Sequence, residues 1–335
     1  MQKMRFGAAI PTARDGLMYP PGFCTPESLV SITKAAEEFN FESVWGNDHI
    51  TTQAYLKDIR PKPNYYEVLT SLSYLAAITK KIKLGTGVIP LPLRNPVILA
   101  KQASTLDNLS GGRLLLGVGI GAYREEFESI CGSGHRGSIL TEGLEALNIL
   151  FNSDVATYQG KYVRFKDIEI NPKPIQKPVP IYVGGNSAEH LERVARFAKG
   201  WLPAAMPASV IGSYINNLKD ILVRYKRSIA EVDVAMEAAL SIDNSEQTAK
   251  KKFLASPMYH HLVSLKNSTL KQFDVSSPDF IIGSNFVGTA DRIIDLIDNY
   301  ARQGVTTLWF DFIGGNLSDV LESIELFAKE VMPSF

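Results

Sequence analysis

Short apolar runs alternate along this chain with longer stretches in which hydrophobic residues recur every three or four positions. Runs of the first kind suit buried strands, and the second spacing marks helices with one apolar face. Eight runs predict strands at 5–10, 43–45, 82–88, 113–118, 180–183, 200–203, 232–240 and 306–312. Helical stretches predict helices at 26–39, 66–79, 96–109, 141–152, 187–198, 209–228, 289–303 and 319–331. Pro26 with Glu27 opens the first, and Asn95 with Pro96 forms an N-cap and first turn for the third. Strand–helix alternation repeated eight times predicts an α/β fold, a (β/α)8 TIM barrel with insertions forming one domain over 1–335. An open doubly wound sheet is the competing arrangement, but Pro11 to Gly16 lacks the glycine spacing of a dinucleotide turn.

Two segments interrupt the rhythm. Residues 158–170, with Gln159-Gly160 between aromatic and polar positions, predict a surface hairpin. Residues 246–285 are polar and predict an excursion, a lid over the barrel mouth.

Charge narrows the function classes. The 35 basic residues balance the 35 acidic ones, so the basic footprint of a nucleic-acid binder is missing. No apolar run approaches membrane-helix length, and Phe6 to Ile10 reads as a first strand and not a signal-peptide core. The expectation is a soluble cytoplasmic protein. Cys24 and Cys131 are too few for a disulfide framework or a metal cluster and read as structural or surface thiols, and no metal site is expected.

Barrel enzymes place their chemistry where strands end, so the strand ends hold the candidates. The second strand runs into Asn47-Asp48-His49, an acid beside an imidazole. The pair reads either as proton-handling chemistry at the mouth or as a turn cap beside a packed histidine. The third strand feeds Gly87-Val88 and a rigid loop bounded by prolines, in which Arg94 reads as a loop anchor or an anion contact. The fourth ends in Gly117, Gly119 and Gly121 around Ile120, which leaves room for a flat ring or for tight packing inside the barrel. The fifth ends Val183-Gly184-Gly185-Asn186 before a helix, suited to a phosphate or to a plain turn capped by Ser187. His135 with Arg136 reads as surface anchoring, and His260-His261 as a solvated or lid position.

Together the segments Phe41 to His49, Leu84 to Val88, Pro92 to Pro96, Ala100 to Gln102, Leu106-Asp107, Leu109 to Arg113, Leu116 to Gly119, Ile181 to Gly185, Gly200-Trp201 and Val287 to Thr289 resemble the bacterial-luciferase-like superfamily. The resemblance implies a (β/α)8 barrel holding coenzyme F420 or reduced FMN at its mouth. It implies a non-prolyl cis peptide at Gly87-Val88 behind the ring, a ring wall at Ile120 and Gly121, and a phosphate site at Val183, Gly184, Gly185 and Asn186. Asp48 and His49 match an Asp–His pair beside ring and substrate, with Asp48 positioning His49. The wording is closer to the deazaflavin-using branch, so hydride transfer between F420 and a small organic substrate is the leading expectation. An FMNH2-dependent monooxygenase using dioxygen is the alternative, and a non-catalytic cofactor-binding barrel the second. Ala122 stands where sugar-phosphate dehydrogenases of the group carry a glutamate acid, so their substrate chemistry is not carried over. A homodimer is also implied.

Overall fold

Each predicted run becomes a strand in the computed structural model, which describes residues 3–265 and 277–335. The first half contains β1 (Arg5–Ile10), α1 (Pro26–Glu38), β2 (Ser43–Gly46), α2 (Val68–Ile78), β3 (Lys83–Thr86) and β4 (Ile89–Pro90). It continues with α3 (Pro96–Leu109), β5 (Leu114–Gly119), α4 (Arg124–Cys131) and α5 (Arg136–Asn152). Next come β6 (Ala156–Gln159), β7 (Arg164–Ile168), β8 (Ile181–Gly184), α6 (Ala188–Phe197), β9 (Gly200–Leu202) and α7 (Ala208–Arg224). The chain closes with β10 (Asp233–Ile242), α8 (Glu246–Leu254), α9 (Pro257–Ser264), α10 (Pro278–Gly283), β11 (Phe286–Gly288), α11 (Ala290–Gln303), β12 (Thr307–Phe312) and α12 (Leu317–Glu330).

Strands β1, β2, β3, β5, β8, β9, β10 and β12 pair in parallel and in that order, and β12 returns to β1. The result is a closed (β/α)8 barrel. The predicted third strand divides: β3 stops at Thr86, Gly87-Val88 forms a cis peptide, and the chain resumes as β4 against β5. The helix predicted from 141 starts at Arg136, because the His135 side chain accepts the Ser138 amide and caps it earlier. β6 and β7 pair as an antiparallel hairpin over the predicted 158–170 region. Helices α8, α9 and α10 lie within the predicted excursion, of which residues 266–276 fall outside the described residues. No helix among the described residues is long and apolar enough to cross a membrane.

Two apolar layers hold the barrel. The larger lies between strands and helices, with Leu84, Leu116, Val183 and Phe310 at its centre. The smaller fills the barrel itself with Ala9, Trp45, Leu115, Tyr182, Leu202, Ala235 and Trp309. The Trp45 and Trp309 rings stack with centroids 5.5 Å apart. Glycine makes room for them: a Cβ at Gly85 would lie 2.3 Å from the Trp45 ring, and one at Gly7 would lie 2.9 Å from Trp309. Burying each large aromatic contributes on the order of 2–3 kcal/mol, so this pair is a main support of the interior. At the amino-terminal end Asp233 takes Arg5 at 2.6 Å and the Tyr182 hydroxyl at 2.8 Å, which closes the floor. The open end lies at the strands' carboxyl termini, where function is expected in this fold.

Candidate active site

A cavity of about 990 Å³ occupies that open end, lined by the ends of β2, β5, β8, β10 and β12, the Gly87-Val88 bulge and helix α9. Of the residues singled out from sequence, Asp48, His49, Gly87, Val88, Ile120, Gly121, Gly184, Gly185 and Asn186 line it. Val183 does not. Its side chain is fully buried in the layer between barrel and helices, because alternate residues of a strand face opposite sides.

The Asp–His pair is split by its partners. Asp48 Oδ2 accepts a hydrogen bond from the Arg94 guanidinium at 2.5 Å and its side chain is wholly buried, while Arg94 also meets Glu67 at 3.1 Å. Burial raises the Asp48 carboxyl above its ordinary range against the pull of Arg94. Arg94 is therefore the loop anchor of the two readings. Asp48 does not position His49. That role falls to Glu126, whose Oε2 lies 3.1 Å from His49 Nδ1. Glu126 Oε1 accepts the amides of Ile50 at 2.7 Å and Thr51 at 3.2 Å. Burial alone would raise the Glu126 carboxyl, yet the His49 bond and these amides outweigh it and hold it below the usual range. An ionised Glu126 accepts, so Nδ1 carries the hydrogen in the neutral ring and Nε2 is the nitrogen left for a ligand.

This arrangement has a measurable consequence. A carboxyl whose folded value is depressed stabilises the fold above its unfolded value of about 4.3, and that stabilisation is lost as pH falls through the folded value. Glu126→Gln is expected to cost about 1–2 kcal/mol at pH 7, and the gap from wild type should close below pH 4. Urea unfolding at the two pH values checks it, and a gap that stays constant would sink the idea.

The bulge is built by close packing. Thr86 Oγ1 donates to the Gly117 carbonyl at 2.7 Å and accepts the Gly117 amide at 2.8 Å. The Gly87 amide donates to the Gly46 carbonyl at 2.7 Å. Val88 then seats against two glycines, since a Cβ at Gly119 or Gly184 would lie 2.8 Å from its methyls. Tight packing is thus the explanation for Gly117 and Gly119. Gly121 is different: with φ +81° it turns the chain along the cavity, and its carbonyl accepts Arg136 at 2.8 Å. Arg136, expected as a surface anchor, lines the cavity as well.

At the fifth strand end, Gly185 has φ +129°, and a Cβ there would lie 2.5 Å from the His190 ring. Asn186 Oδ1 accepts the Ala204 amide, and Ser187 starts α6 without a side-chain cap. His190 accepts or donates at Nδ1 with Ser187 at 2.8 Å, and burial, with Arg193 assisting, lowers it to about 4.

Sequence reasoning missed further residues. His261 on α9 is buried and not solvated, and Tyr55 Oη lies 3.3 Å from its Nδ1 and 3.2 Å from Tyr123 Oη. Burial, then the charges of His49 and Arg14, lower His261 to about 3. Arg14, fully buried after β1, binds Asp311 of β12 and reaches Glu237 of β10 at 3.0 Å. The available signal was a lone carboxylate inside each of two apolar strands, Met236-Glu237-Ala238 and Phe310-Asp311-Phe312.

A closed parallel barrel with one large polar-edged cavity at its strand termini defines an enzyme that takes a small molecule in its mouth. The luciferase-like monooxygenase family matches residues 4–307, and the chain belongs to that family. It is 25% identical to the 5,10-methylenetetrahydromethanopterin reductase of Methanopyrus kandleri, over 92% of this chain and 95% of the relative. It is 30% identical to an F420-dependent glucose-6-phosphate dehydrogenase of Microbacterium testaceum, over 68% of each. The solved monooxygenase RslO1 from Streptomyces bottropensis superposes with a TM-score of 0.82 at 21% identity, over 99% of both chains.

Proposed function

We propose that this enzyme transfers a hydride between coenzyme F420 and a small organic substrate. The observation that carries the reading is a set of unsatisfied buried atoms around one cavity. Asp48 Oδ1, Asn186 Nδ2, His190 Nε2, Trp309 Nε1 and Asp311 Oδ2 have no hydrogen-bond partner among the described residues, and all five residues line the mouth. Leaving such groups unpaired costs about 1–3 kcal/mol each, so they fit a polar ligand that completes them. The volume suits a tricyclic ring with a phosphate-bearing tail, being at the upper end of the usual ligand range.

The chain's own groups divide the work. Val88 and Gly87, held by Thr86 and Gly117, form the apolar wall for a ring. Asn186 Nδ2, the uncapped start of α6 and Arg136 offer donors and positive charge to a phosphate. His49, oriented by Glu126, holds or moves a proton at Nε2. When bound, the deazaflavin supplies two-electron hydride chemistry. Names of two relatives also support the reading, one an F420-dependent dehydrogenase and the other a methanopterin reductase.

Titration of the protein with F420 and, separately, FMN, each followed by fluorescence quenching, tests it. F420 is expected to bind at least tenfold more tightly than FMN. Tight FMN binding without F420 binding would overturn the proposal in favour of the monooxygenase alternative.

A further inference from the structure

Glu237 and Asp311 line the same cavity and both bind the buried Arg14, and of the three only Asp311 Oδ2 enters the reading above. Its members come from three neighbouring parts of the barrel: the loop after β1, strand β10 and strand β12. Arg14 has no exposed side-chain surface and Asp311 is 2% exposed, whereas Glu237 keeps 30% of its side chain open beside the cavity it lines. The guanidinium also lies 5.9 Å from the centroid of Trp309. One buried cation therefore faces one buried carboxyl, Asp311, and one partly open carboxyl, Glu237, and a proton on the pair lets the two carboxyls hydrogen-bond to each other.

We propose that Glu237 is a second acid–base residue of the mouth, the one that gives a proton to the carbonyl oxygen or imine nitrogen of an uncharged substrate as that group is reduced. The charge count supports this. Two ionised carboxylates against one guanidinium leave a net negative charge in a poorly solvated place, and keeping one proton on the pair removes it. Burial, opposed by Arg14 and reinforced by Asp311, raises the Glu237 carboxyl above the usual carboxylate range, which favours a proton on the pair. Asp311 is raised too, by burial and against Arg14, and the pair shares the titration. With one proton on the pair the cluster is neutral, which favours an uncharged substrate over an anion.

The step rests on the hydride-transfer reading. When bound, the reduced deazaflavin would supply the hydride for the new C–H bond at the substrate carbon. The π pair of the C=O or C=N bond moves to the heteroatom, which takes the carboxyl proton of Glu237. The substrate is reduced by two electrons and the deazaflavin oxidised by two. Glu237 is left as a carboxylate paired with Arg14 and recovers a proton from solvent through the open mouth. His49 Nε2 would be available for the proton that a bound reduced ring gives up with its hydride.

Infrared difference spectroscopy of the cofactor-free protein tests the acid independently of F420. The charged groups acting on Glu237 are Arg14 and Asp311, with Tyr19 acting on Asp311 and Arg14, and His261 of α9 on Arg14. Wild type is expected to show a protonated-carboxyl band that titrates away above the ordinary carboxylate range, and Glu237→Gln to lack it. Added 13C-cyclohexanone, the carbonyl probe, is expected to shift its band to lower frequency in wild type at neutral pH and not in Glu237→Gln. No titrating band in wild type, or one that survives in the variant, overturns the acid. A ketone band that is unshifted in wild type, or shifted equally in the variant, overturns its contact with substrate. Failure of F420 to bind would remove the cofactor reading while leaving both infrared results to stand or fall alone.

Discussion

Gly117→Ala is expected to lower stability by about 3 kcal/mol, among the largest losses from a single added methyl in this chain. The new Cβ would lie 1.9 Å from the Thr86 carbonyl oxygen and 2.8 Å from a Leu202 methyl. The first of these is backbone, and it belongs to the residue whose hydroxyl makes two hydrogen bonds to Gly117. Relief therefore requires strand β3 and strand β5 to part exactly where the mouth wall begins to form, and neither can do so without losing ladder bonds. Gly283→Ala serves as the control, since nothing among the described residues lies within 4 Å of its added Cβ. Denaturant unfolding of both variants reads the difference. Equal midpoints for Gly117→Ala and wild type would show that the two strands are not packed as described.

Arg14→Met is expected to cost about 3–5 kcal/mol at neutral pH, because it strands two carboxyls that only the guanidinium offsets. The sign of its pH dependence is distinctive. Carboxyls whose folded values are raised above the unfolded ones destabilise the fold as pH climbs from about 4 toward the folded value. Removing the cation raises those values further, so the deficit should widen from pH 5 to pH 9. A surface ion pair would instead show a small loss that salt abolishes. Thermal unfolding at pH 5, 7 and 9 decides between them, and a deficit that shrinks with rising pH would contradict the buried cluster.

The barrel was legible because its strands are apolar on both faces and announce themselves as continuous runs. The break in the third run was not legible from periodicity, which carries no record of peptide geometry. Gly87-Val88 came from resemblance, and the cis bond is present. Helix α4 escaped notice because its eight residues are too few for a periodic signal and its first turn is acidic. The partner of His49 escaped with it. Asp48 is its neighbour in sequence, but Glu126 is its neighbour in space, 77 positions along the chain. Adjacent strand-end residues point in different directions, so sequence adjacency is a poor guide to which acid a histidine meets. Glu237 and Asp311 were overlooked for a different reason: a single carboxylate within an apolar run reads as noise until a buried arginine from elsewhere explains it.

Helices α8, α9 and α10 rest on a small apolar cluster of their own. Ala249, Phe253, Met258 and Ile281 pack there with Ala239, Val287 and Ile313, apart from the cluster that supports β3, β5 and β8. The parts of the mouth proposed to face the cofactor and the part contributed by α9 therefore rest on different clusters, which meet at Met18. Substitutions can accumulate beneath the second without loosening the first. A scaffold divided in this way can explore new substrates by drift in one segment while the machinery for electron transfer is inherited unchanged.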